Sequence, residues 1–112
     1  MVNIRDAREL LKSLSDESRL RILSLLEHED EINVGEFCEI LACSQTMISK
    51  HLMRLRLLGL ITDRREGLNV YYSLIEIIEP VYKTIVVSVT KSFEEFDVFE
   101  KDRSKMDEIR MR

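Results

Sequence analysis

The residues of this chain best suited to chemistry lie close together. Gln45, Thr46, Ser49, Lys50 and Arg54 recur at spacings that put them on one side of a helix, and Ser44 stands just ahead of them. Gln can pair bidentately with adenine, and Ser or Thr can bond to bases or phosphates. Lys and Arg supply the cationic contacts a polyanion requires. The Ser44 hydroxyl and the first-turn amides form an anion site of their own. Arg64 and Arg65 follow at the tip of an expected hairpin, within reach of phosphates or a minor groove. The alternative reading of such a polar run is a solvated helix face. His51 has no evident nucleophile partner and no Gly-rich phosphate loop beside it, so it is not read as a catalytic base. His28 with Glu29, Asp30 and Glu31 could hold a loosely bound cation, but a solvated loop is the favoured reading.

Two thiols remain, Cys38 and Cys43. Free Cys packs as a small buried hydrophobe, which is the favoured reading. The sharper reading is a redox or persulfide sensor. Spacing by five puts the two on different sides of an unbroken helix, and a disulfide needs Cα atoms within about 7 Å.

The elements that position these groups follow from periodicity. Residues 3–14 read as a helix, with Ile4, Ala7, Leu10, Leu11 and Leu14 at spacings of three and four. Ser15 and Asp16 cap a second helix running to about Glu27, and an acidic loop follows. A short helix from Val34 to about Leu41, a brief break and a helix capped by Ser44 make a helix-turn-helix over about 34–58, stopped by Gly59. Two β-prone runs around Glu66–Asn69 predict a hairpin over about 60–74. Pro80 suits the first turn of a helix, so the last helix is expected over about 79–102, with a charged tail from Lys101 that frays. The expected fold is one domain over 1–112, mainly α with a β-hairpin wing (α+β), a winged helix-turn-helix. In such a unit the second helix enters the major groove.

Composition bounds the function. The 112 residues include 45% apolar and 34% charged groups, which is globular and has room for one domain. The net charge of −4 disfavours a polyanionic partner until the chain is divided. Residues 1–43 carry −5 and residues 73–112 carry −2, whereas residues 44–72 carry +3. A local cationic footprint on an acidic body fits nucleic-acid binding through that one stretch. No apolar run reaches the roughly 18 residues of a membrane span. The N-terminus has no signal-peptide core, so a cytoplasmic location is expected, where the thiols stay reduced. A membrane protein, a disulfide scaffold and a multidomain enzyme are thereby set aside.

Several separated motifs carry a family resemblance. Leu14-Ser15-Asp16-Glu17-Ser18-Arg19-Leu20-Arg21-Ile22-Leu23 resembles the opening of the ArsR/SmtB repressors. The run from Ser44 to Leu52, then Leu55-Arg56-Leu57-Leu58-Gly59-Leu60, resembles their recognition helix. Arg64-Arg65-Glu66-Gly67 followed by Tyr71-Tyr72-Ser73-Leu74 resembles their wing. The resemblance covers about residues 10–75. It implies a homodimeric transcription factor, usually a repressor, that binds double-stranded DNA at a pseudo-palindromic operator and releases it when an effector binds. By position, the implied DNA contacts are Ser44, Gln45, Thr46, Ser49, Lys50, His51 and Arg54, with Arg64 and Arg65 on the wing. The implied dimer interface joins the first and last helices. Leu10 and Leu14, with Val81, Ile85, Val89, Phe93 and Phe96, are its candidate residues. The broad apolar surface of the last helix points the same way on its own, because one stripe would be left over after the monomer folds.

The family's thiol metal site falls here on Asn33 and Gly35, and its second site on Glu76, Ile78, Val89 and Ser92. These residues lack the ligands zinc needs, so no metal and no cofactor is expected. Cys38 lies near one thiol of the family's redox-sensing subgroup, but the partner thiol of the last helix is missing. Two rival functions remain at this point: a winged-helix adaptor that binds protein, and, ranked last, an enzyme.

Overall fold

The computed structural model describes residues 2–77 and 79–112. Six helices and three short strands follow in the order α1 (Ile4–Leu14), α2 (Glu17–His28), β1 (Ile32–Asn33), α3 (Val34–Leu41), α4 (Gln45–Leu57), β2 (Ile61–Glu66), β3 (Asn69–Leu74), α5 (Pro80–Phe93) and α6 (Asp97–Arg110). Side chains cap the starts of five helices. Asn3, Asp16, Asn33, Ser44 and Glu79 each accept from a backbone amide of the first turn, satisfying donors that no helical carbonyl can reach.

The core forms around α2, whose residues Ile22 to Leu26 are all buried. Leu10 and Leu14 reach it from α1, Phe37 and Ile40 from α3, Ile48, Leu52 and Leu55 from α4, and Val86 and Met106 from the C-terminal helices. The hairpin closes one side. Strands β2 and β3 pair in antiparallel register from Ile61↔Leu74 to Glu66↔Asn69, and the positive φ of Gly67 supplies the first turn position of a two-residue loop. β1 adds a third strand on the far side of β3, giving the order β1-β3-β2. The sequence reading assigned no strand there, because two residues carry no visible alternation.

The C-terminal region departs from expectation. One helix over about 79–102 is replaced by α5 and α6, with a break at residues 94–96. Phe93 and Phe96 stack across this break at 5.2 Å, and Phe99 follows at 6.4 Å from Phe96. The break turns α6 back across α2 and α3, so the charged tail is held instead of frayed. Phe99, Asp102 and Met106 are its buried residues. Asp102 receives two bonds of 2.8 Å from Arg21 Nε and Nη2. Arg112 pairs with Glu39 and Arg110 with Glu36, both on α3. Among the described residues, no helix is long and apolar enough to cross a membrane.

Candidate nucleic-acid interface

The turn between α3 and α4 is set by backbone geometry. Asn33 and Glu36 form a reciprocal capping box that fixes the start of α3. Ala42 closes the helix in the left-handed conformation, φ 53°, and its amide bonds to the Cys38 carbonyl. Two residues later the Ser44 hydroxyl accepts from the Met47 amide at 3.2 Å and starts α4. The chain thus reverses with few residues and leaves α4 fixed against the core by Ile48, His51, Leu52 and Leu55. That i, i+3, i+4, i+7 stripe determines what faces outward.

Gln45, Thr46, Ser49 and Lys50 line an exposed surface concavity on the opposite side, together with Met53. Arg54 is exposed as well, and Ser44 is exposed beside its cap bond. None of Gln45, Thr46, Ser49, Lys50 and Arg54 makes a side-chain hydrogen bond or ion pair among the described residues. Their donors and acceptors are therefore free for a partner. Met53 was missed by the sequence reading; an apolar residue four positions after Ser49 and three after Lys50 is the signal that could have found it.

His51 is a correction. It lies three residues after Ile48 and four before Leu55, on the core stripe, and is 8% exposed. Arg19 Nη1 approaches its Nδ1 at 3.4 Å, and because Arg only donates, the imidazole nitrogen accepts. Arg19 Nε also donates to the Ser13 carbonyl at 2.8 Å, so the pair ties the α1–α2 turn to α4. His51 thus braces α4 from its core side, away from the exposed face of Gln45, Thr46, Ser49 and Lys50.

The two wing arginines differ. Arg65 is exposed and makes no ion pair among the described residues. Arg64 faces the other side of the hairpin, because successive strand residues alternate. Its guanidinium lies over the Tyr71 ring at 4.8 Å, donates to both oxygens of Glu31 at 2.9 Å, and donates to Glu66 at 2.6 Å. These bonds hold the Glu31 carboxyl below the ordinary range and raise the Arg64 guanidinium above its own.

The expected dimer residues divide in the same way. Leu10 and Leu14 are 0% and 4% exposed inside their own chain, so they are not available to a partner. The reason is their position: they lie on the stripe of α1 that packs into the core. The exposed apolar residues of that helix are Ile4 and Leu11. On α5, Val81 is exposed and Ile85, Val89 and Phe93 are half-buried, while Phe96 is exposed at the break. Tyr82 Oη donates to the Asp6 carbonyl at 3.2 Å and keeps α5 beside α1.

Both thiols are free and half-buried. Burial, and then Cys43, push the Cys38 thiol above its ordinary value, and Cys43 Sγ donates to the Leu41 carbonyl at 3.5 Å. Asn33, at a position of the family's thiol site, spends its side chain on the α3 cap. Ile78, matched to the second site, lies outside the described residues. His28, Glu29 and Asp107 bring one ligand atom each within 4.8 Å of one another where α2 meets α6. His28 Nε2 and Asp107 Oδ1 bond at 2.8 Å.

Residues 16–63, which hold the helix-turn-helix, match the model of the bacterial regulatory proteins of the arsR family. The transcriptional repressor PagR of Bacillus anthracis is 35% identical over 74 residues, covering 65% of this chain and 73% of that protein. The chain belongs to the ArsR family. The arsenical resistance operon repressor of Escherichia coli K12 is 46% identical over 66 residues, covering 59% of this ArsR-family chain. The matched stretch spans 56% of that repressor, so the chain accounts for little more than half its length. The solution structure of the homodimeric winged helix-turn-helix DNA-binding domain Mb0332 from Mycobacterium bovis superposes with a TM-score of 0.65 at 26% identity, covering 84% of both chains. The fold is thus the winged helix-turn-helix of the ArsR family.

Proposed function

We propose that this chain is a sequence-specific DNA-binding transcriptional regulator, a repressor that acts as a homodimer and leaves its operator when an effector or thiol modification shifts the dimer. The observation that carries the reading is the outward face of α4. Gln45, Thr46, Ser49 and Lys50 stand exposed and unpartnered on the second helix of a helix-turn-helix. They also lie within the only one of the three sequence segments above that carries net positive charge. Ser44 and Arg54 extend the contact along the backbone, and Arg65 reaches the flanking groove from the wing.

The dimer uses Leu11 of α1 and Val81, Ile85, Val89, Phe93 and Phe96 of α5 and the break. In a two-fold assembly the recognition helices then meet two half-sites roughly 34 Å apart on a pseudo-palindromic operator. A coupling of about 1–3 kcal/mol between effector and DNA would suffice for release. The test is a fluorescence-anisotropy titration of reduced protein against DNA upstream of its own gene, with competitor DNA, at two salt concentrations. Competitor-resistant, salt-sensitive binding supports the regulator. Binding no tighter than to scrambled duplex, there and in a genome-wide selection, would leave the adaptor reading in its place.

A further inference from the structure

We propose that Glu31 lowers the DNA affinity of this regulator by holding Arg64 of the wing in an intramolecular clamp that keeps it off the DNA phosphates. The inference rests on the DNA-binding reading and adds a residue that neither contacts base edges nor belongs to the helix-turn-helix.

The clamp runs across the whole sheet. Arg64 starts on β2, passes over Tyr71 of β3, and ends on Glu31, which immediately precedes β1. Nε and Nη2 take both oxygens of Glu31, and Nη1 takes Glu66. With two carboxylates on one guanidinium, the closed group carries a net charge of −1 and repels a phosphate. The bidentate fork is also the geometry with which Arg would grip a phosphate, so one guanidinium cannot serve both. Glu31 is held ready by its backbone: its carbonyl accepts from Arg110 Nη2 of α6. The side chains of Arg64 and Glu31 are 49% and 39% exposed, so the guanidinium lies open to a phosphate once Glu31 is removed. Arg65 faces the other way and makes no ion pair among the described residues, so Glu31→Gln leaves it unaffected.

The experiment compares wild type, Glu31→Gln, Asp30→Asn, Arg64→Ala and the Glu31→Gln/Arg64→Ala double variant. All are titrated against one duplex that the wild type selects from a random pool, across 50–200 mM salt. Removing the Glu31 carboxylate opens the Nε/Nη2 fork while Glu66 keeps only Nη1, so Arg64 gains one phosphate contact per wing. Glu31→Gln should therefore bind several-fold tighter at low salt and steepen the log–log salt slope by about 0.9 per wing, or about 1.8 per dimer. That is roughly a tenfold larger loss of affinity across the salt range. Asp30 is exposed on the same loop and unpaired among the described residues, so Asp30→Asn removes the same charge without freeing Arg64 and should leave the slope unchanged. In the Arg64→Ala background, Glu31→Gln should also leave it unchanged. An unaltered slope in Glu31→Gln overturns the proposal. So does equal steepening in Asp30→Asn or in the double variant, which would make Glu31 one of several diffuse acidic charges. A wild type that selects no duplex removes the regulator reading itself, a result distinct from either.

Discussion

The tie between α6 and the body of the protein makes Asp102→Ala the most demanding substitution. Asp102 is 2% exposed, and both its oxygens accept from Arg21, whose side chain retains 16% exposure. The bonds to Asp102 are also what chiefly raise the Arg21 guanidinium above its ordinary value. Removing one member of a buried pair strands the other, at a cost of about 3–5 kcal/mol. Because Arg21 keeps some water, the lower end applies, about 3 kcal/mol. For a domain of this size that lowers Tm by roughly 10–15 °C. Thermal unfolding followed by circular dichroism, at fixed protein concentration because the proposed assembly is a dimer, measures it. Replacing both partners, as Arg21→Met with Asp102→Leu, should recover all but about 1 kcal/mol, since no charge is then left buried. A Tm within 3 °C of wild type for Asp102→Ala would refute the reasoning and return α6 to the status of a loosely attached tail.

Three further outcomes follow from particular side chains. His51→Ala should cost about 1–3 kcal/mol of stability while leaving the salt slope of DNA binding unchanged, since the residue braces α4 from inside; a shallower slope would make it a phosphate contact. Leu11→Glu with Val81→Glu should give a 13.2 kDa species by light scattering where the wild type is expected at twice that mass; a dimer in the double variant would move the interface elsewhere. The Cys38 thiol, pushed up by burial and by Cys43, holds less thiolate at pH 7 than an ordinary cysteine. It should therefore react with iodoacetamide more slowly than free cysteine, and equal or faster alkylation would favour a redox-sensing role.

How far the sequence could be read depended on whether a pattern was local. The helix-turn-helix is legible because capping, periodicity and the stop at Gly59 agree within 26 residues, from Val34 to Gly59. The outward face of α4 followed from the same periodicity. His51 reads as a contact by its place in the family motif, yet its spacing from Ile48, Leu52 and Leu55 puts it on the core stripe. Leu10 and Leu14 were misassigned because α1 has apolar residues on two sides, and only packing decides which side the core takes. α6 was hidden for a different reason. Its inward stripe of Phe99, Asp102 and Met106 has a carboxylate at its centre, and the Arg21 that makes it a core residue lies 81 positions away. The Arg64–Glu31 clamp likewise spans 33 positions. Such long-range pairings leave no trace in spacing.

DNA recognition through the outward face of α4 is decided by one comparison. A Gln45→Ala/Lys50→Ala variant and the wild type are titrated by anisotropy against the selected duplex and a scrambled one, with melting curves to establish that both are folded. The variant should keep its fold, lose about 1–3 kcal/mol of discrimination with the base contact, and show a salt slope shallower by about 1 for each recognition helix from the lost phosphate contact. A folded variant that discriminates as well as the wild type with the same salt slope would contradict recognition through that face.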